Sequence, residues 1–101
     1  MNALNGTWRV IVRSGPWWFW LLDWVGNKKI IKGAQGYNRI GFFIRWGRFD
    51  ISKENGEYIL KYRRMPIADN LVLLEEDRAN GQFYWQGKFQ GKFSMIREGQ
   101  P

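Results

Sequence analysis

Histidine and cysteine are both absent from this 101-residue chain. Their absence removes the commonest general base, the commonest metal ligand, thiolate nucleophiles and disulfides. Acid–base chemistry would have to rest on Asp23, Asp50, Asp69, Glu75, Glu76 or Asp77, helped by a tyrosine or lysine. Asp23 stands out because it interrupts an aromatic run, yet a solvated strand edge or a neighbouring arginine accounts for it more simply. The expectation is a protein that is not an enzyme, with no catalytic residue, no metal and no cofactor.

Binding chemistry is better represented. Aromatic residues make up 18% of the chain, seven of them tryptophans, and the run Pro16-Trp17-Trp18-Phe19-Trp20-Leu21-Leu22-Asp23-Trp24-Val25 holds four of those. Rings in such excess stack on flat or greasy partners. The run is too short to span a membrane, although tryptophan is at home in the bilayer interface. Sixteen Lys and Arg against nine Asp and Glu give a net charge of +7, which attracts polyanions and anionic lipid. Lys28, Lys29, Lys32, Arg39, Phe43, Arg45 and Arg48 surround a glycine-rich stretch, and basic residues interleaved with rings can hold single-stranded nucleic acid. Gly33 to Gly36 lacks the Lys-Ser/Thr ending and the following helix of a phosphate loop.

The elements that would position these groups read as strands. Gly, Asn, Asp and Pro recur every eight to twelve residues, and the segments between them alternate apolar and polar, the pattern of an all-β sandwich or barrel. Trp8, Val10 and Val12 share one face of a first strand, Arg9 and Arg13 the other. The aromatic run reads as a second, two-faced strand. Trp18, Trp20, Leu22 and Trp24 would point inward and Trp17, Phe19 and Leu21 outward. A strand over Lys28 to Lys32, a glycine-rich loop over Gly33 to Asn38, and a long strand from Arg39 to Asp50 bent at Gly47 come next. Asn55-Gly56, Asn80-Gly81 and Gln90-Gly91 read as hairpin turns. No helix is expected. Short connections favour one domain over residues 1–101, a small antiparallel up-and-down β-barrel of about eight strands.

In such a barrel Trp18, Trp20, Trp24, Phe42, Trp46, Tyr58, Tyr62 and Trp85 would line the interior. An eight-stranded interior is either filled by side chains or holds one small ligand. The leading expectation is a small hydrophobic or aromatic ligand bound there. Trp17, Phe19 and Leu21 would form an exposed patch, of the kind that marks a protein or membrane contact, with a homodimer as the simplest partner. Nucleic acid on the basic face is the alternative.

Gly6-Thr7-Trp8 near the start and Gly91-Lys92-Phe93-Ser94-Met95-Ile96-Arg97 near the end resemble the calycin superfamily, the lipocalins and their short bacterial lipocalin-like relatives. Those proteins open with Gly-x-Trp and finish with an arginine packed over that tryptophan. The resemblance implies that Trp8 and Arg97 close one end of the barrel. The chain differs from secreted lipocalins in its shortness and in having neither cysteines nor a C-terminal helix. No transmembrane segment or leader is legible, and the cytoplasm is the default expectation.

Overall fold

The computed structural model describes residues 3–41 and 44–99. Across them the chain folds as β1 (Gly6–Ser14), α1 (Trp17–Val25), β2 (Asn27–Lys32), β3 (Gln35–Ile40), β4 (Ile44–Glu54), β5 (Glu57–Tyr62), β6 (Ile67–Glu75), β7 (Arg78–Trp85) and β8 (Lys88–Gly99). Each strand pairs antiparallel with the next and β8 returns to β1, closing the up-and-down barrel. Connections alternate between two ends. The upper end carries α1, the end of β3 and the start of β4, the 63–66 turn and the Gln86-Gly87 turn. The lower end carries the 33–34, Asn55-Gly56 and Glu76-Asp77 turns.

Period-two alternation builds the core. Trp8, Val10 and Val12 of β1 are buried beside Leu60, Leu71, Phe83, Phe93 and Met95, while Arg9 and Arg13 are exposed. At the lower end Trp8 pairs with Arg97 across the β1–β8 seam, and the Arg97 guanidinium lies 4.3 Å from the Trp8 ring centroid. The Trp8 indole donates to Leu4 O at 2.8 Å. Arg97 donates to Ala3 O at 2.7 Å and Glu76 O at 2.9 Å, and also to Asn5 O. The stack therefore ties the segment before β1 to the β6–β7 turn.

Three sequence expectations are corrected. First, the aromatic run is a helix. Pro16 sits extended at its N-cap, and Gly26 ends it in the left-handed conformation (φ 82°), donating to Leu22 O and Asp23 O. Winding moves Trp18, Phe19 and Leu22 onto the barrel and leaves Trp17, Trp20, Leu21 and Trp24 outside. A run apolar at nearly every position carries neither the two-residue nor the 3.6-residue period, so alternation could not decide it.

Second, residues 35–40 are a strand rather than a loop, and the expected Arg39 to Asp50 strand is a hairpin with Ile40 opposite Ile44. The bend at Gly47 survives as a positive φ of 62° beside a register shift between Gly36 and Asn38. Third, Asn80-Gly81 and Gln90-Gly91 lie inside β7 and β8. Gly81 is there because a Cβ would stand 2.2 Å from the Phe93 ring. Gly91 is there because its Cβ would stand 2.2 Å from Ser14 O. The real turn between these strands is Gln86-Gly87, both with positive φ, as a tight hairpin requires.

The Gly91 approach fixes a local test. Ser14 O and Gly15 Cα, the nearest atoms, are backbone and cannot rotate away. Gly91→Ala is expected to lower stability by about 1–3 kcal/mol, the cost of overpacking, as measured by urea unfolding. Gly87→Ala, with open space around its Cβ position, strains only its own backbone and serves as the comparison.

Candidate functional site: the helix-bearing end of the barrel

The helix sits on the barrel through rings and one carboxylate. Phe19 stacks on Phe83 at 5.1 Å between centroids and meets Phe93 edge-on at 6.2 Å. Trp18 meets Phe83 edge-on at 5.5 Å. Asp23 Oδ1 accepts the Val12 N–H at 3.1 Å, so the acid that interrupts the aromatic run pins α1 to β1. Phe19, expected on the outward patch, is thus corrected to a buried anchor.

The opposite face of α1 is bare. Trp17 is 77% exposed and Trp24 82%, with Trp20 and Leu21 each nearly half exposed between them. These positions follow helical i, i+3, i+4, i+7 spacing and form one stripe. Ile44 at the start of β4, Trp85 at the end of β7 and Phe89 at the start of β8 add exposed apolar surface at the same end.

Charge follows the same axis. At the upper end stand Arg13 near the close of β1, Arg39 near the end of β3, Arg45 near the start of β4, Arg63 and Arg64 in the 63–66 turn, and Lys88 after the Gln86-Gly87 turn. Of the acids there, Asp23 is spent on Val12 and Asp50 on Arg63, at 2.8 Å. The Arg63 hydrogen bond holds the Asp50 carboxyl below its ordinary range. At the lower end Glu54 and Glu57 flank the Asn55-Gly56 turn, and Glu75, Glu76 and Asp77 crowd the next one. Lys32, Lys53, Arg78 and Arg97 stand at the lower end as well and nearly offset those acids, so the barrel is strongly basic and aromatic above and close to balanced below.

The eight residues expected to line a ligand cavity do not come together. Trp46, Tyr58 and Tyr62 share the inward face of β4 and β5, and Trp18 packs on Phe83. Trp20 and Trp24 are outside because the segment is helical. Trp85 lies on the inward face, opposite Ile67, but stands at the rim and is 40% exposed. Phe42 lies outside the described residues, as does Phe43.

What occupies mid-barrel was missed in the sequence. Lys29, assigned to the basic surface, is buried. Its ammonium donates to Asn38 Oδ1 at 2.8 Å and to the Tyr62 hydroxyl at 2.7 Å, and lies 3.0 Å from Asp69 Oδ2. Rings of Phe49, Tyr62 and Phe93 lie 5.2, 5.3 and 5.8 Å from it. Asn38 also donates to Tyr62, and Asn27 to Asn38. The alternation Asn27, Lys29, Ile31 was the available signal, since it places Lys29 on the inward face of β2. The rest of the basic set disperses: Lys28 pairs with Glu98 at 2.8 Å, and Arg45 stacks over Tyr37 at 5.0 Å. Among the described residues no group of three or more Asp or Glu is placed to hold a metal. No helix among them is long and apolar enough to cross a membrane.

The mid-barrel cluster gives two expected outcomes. Asp69→Ala strands a buried ammonium and is expected to cost about 3–5 kcal/mol, whereas the paired Lys29→Met/Asp69→Leu replacement recovers most of that. Unfolding in urea measures both. Burial first, then the Asp69 carboxylate, raises the Tyr62 hydroxyl well above its ordinary value of 10.0. The folded state therefore keeps this proton longer than the unfolded chain does, so its contribution is complete below about pH 10 and is lost as pH rises beyond that. Stability should fall above pH 10, with less of a fall in Tyr62→Phe, read by thermal melts across pH 8–12.

Comparisons with known protein families, with curated proteins and with solved structures return no match.

Proposed function

We propose that this protein is a non-enzymatic membrane-surface binding module, docking by its upper end on anionic lipid. The carrying observation is the exposed Trp17, Trp20, Leu21 and Trp24 stripe on α1 at the strongly basic end of a barrel whose other end is close to charge-balanced. Tryptophan offers an apolar body and a polar N–H, which suits the headgroup boundary. An amphipathic helix lying in that plane gains from apolar burial and from attraction to anionic headgroups together. Basic side chains near such a surface add about 1 kcal/mol each at physiological salt.

Charge argues against a second copy as the occupant. A two-fold dimer joins a patch to itself, and here that would bring arginines against arginines. Nucleic acid would answer the charge, yet Leu21, Val25 and Ile44, all exposed at this end, have no use in stacking on bases. A small hydrophobic guest in the barrel has weaker support. The inward positions at mid-height belong to buried side chains, among them the Lys29–Asp69 pair, and an oily guest would strip that pair of its partners at a cost of several kcal/mol.

Vesicle co-sedimentation tests the reading. Binding to phosphatidylcholine vesicles should be weak and should strengthen as phosphatidylserine is added, with a blue shift in tryptophan emission. Trp17→Ser and Trp24→Ser should each weaken binding by about 2 kcal/mol, roughly thirtyfold, the value of burying one large apolar side chain, and leave the melting temperature unchanged. Binding equal in these variants and the parent would sink the proposal. Dimerisation without vesicle binding, or oligonucleotide binding that weakens steeply with salt, would give the face to the other partners.

A further inference from the structure

Across the barrel mouth from the seam that carries α1, the upper end has a second feature. Arg48 of β4 and Arg63, Arg64 and Met65 of the β5–β6 turn, with Gly47, line a cavity of about 410 Å³. That is the size range of small-molecule sites. Two interactions hold its rim. The Arg63 N–H donates to Arg48 O at 3.0 Å, joining the turn to β4. The Arg63 side chain forms a two-pronged pair with Asp50, Nε to Oδ2 at 3.0 Å and Nη2 to Oδ1 at 2.8 Å. Asp50 cancels the charge of Arg63, so the surplus charge among the lining residues is that of Arg48, which also borders a smaller cleft beside Lys32 and Tyr37, and of Arg64. Among the described residues no carboxylate lies within ion-pair distance of Arg48 or Arg64.

We infer that this cavity takes a phosphomonoester, the headgroup of a lipid such as phosphatidic acid. The inference rests on the membrane-surface reading and narrows it to a lipid class. Two uncompensated guanidiniums match a group that carries about −1.5 to −2 charges at neutral pH and offers three acceptor oxygens. A phosphodiester carries a single charge. Guanidinium pairs bind phosphate through parallel N–H donors, a geometry that scattered lysines do not provide. Met65 lies beside Arg64 on the cavity wall and gives the glycerol portion an apolar surface.

Vesicles matched in surface potential, one set containing phosphatidic acid and the other phosphatidylserine, separate headgroup recognition from bulk charge. The parent protein is expected to bind the phosphatidic acid set about tenfold more tightly, and Arg48→Ala/Arg64→Ala to lose that preference while still binding the phosphatidylserine set. Lys53→Ala/Arg78→Ala removes the same charge at the lower end and should keep the preference. Glycerol 3-phosphate, followed by amide chemical shifts without vesicles, distinguishes a soluble phosphate from a lipid headgroup. If it binds and the double variant abolishes that binding while no vesicle binds, the cavity is a phosphomonoester site and the membrane reading fails. If vesicles bind with no preference and glycerol 3-phosphate does not bind, the cavity inference fails and the membrane reading stands. A preference that survives Arg48→Ala/Arg64→Ala likewise overturns the inference.

Discussion

An eight-stranded barrel has an interior just wide enough for side chains, and closing it is the constraint on which everything else here depends. Arg97 over Trp8 fastens the seam at the lower end, 4.3 Å from guanidinium to ring, while its hydrogen bonds gather Ala3, Asn5 and Glu76. Once the seam is fixed, little room is left for more indoles. Trp8 is the one tryptophan among the fully buried large side chains; Trp18 and Trp46 pack partly buried against the core, and the other four stand at the rim or outside. Most of the aromatic excess is therefore pushed to the one end that the seam leaves to be covered by a helix.

The middle of the barrel shows the same economy of space. Lys29 of β2, Asn38 of β3, Tyr62 of β5 and Asp69 of β6 meet in one cluster, so a single lysine draws on strands from much of the circumference. Replacing such an ion pair with apolar groups is often neutral or stabilising, so its worth is in register rather than in net energy. The slip of β2 that brings Lys28 to the place of Lys29 keeps a cation there, but the opposite one-residue slip puts Ile30 there and leaves Asp69 buried with no cation. The pair makes that alternative costly.

How far the chain could be read depended on whether polarity marked the faces. In β1, β5 and the second half of β8, charged residues alternate with apolar ones, and the inward set followed directly. The Gly6-x-Trp8 and Arg97 ends were legible because an arginine on an apolar face needs a partner. In Trp17–Val25 neither period stands out, and the deciding marks were at the flanks. Pro16 is suited to a helix start and Gly26 to a left-handed stop. Asn80-Gly81 and Gln90-Gly91 misled because the glycines serve close packing against Phe93 and Ser14 O, which depends on a neighbouring strand. The mid-barrel cluster was hidden for a related reason: a lysine reads as surface until the strand alternation around it is taken as binding.

The two ends then acquire different physical roles from one arrangement. Arginines above and a nearly balanced end below give the molecule a charge gradient along the barrel axis, on top of its net +7. Net charge draws the protein toward an anionic surface, but only the gradient orients it, because the basic end is attracted far more strongly than the nearly balanced end. Attraction of this kind acts over about a Debye length, roughly 10 Å, and ends at the headgroups. Beyond that point the energy must come from burial. The residues that arrive first in that orientation are the ones on α1 with apolar area to bury. The helix must stay attached for this to count, and Phe19 on Phe83 and Asp23 on Val12 supply the attachment. Long-range steering, short-range insertion and a rigid mount thus fall on one end of the barrel, which is why the outward tryptophans are better understood as a contact surface than as surplus core.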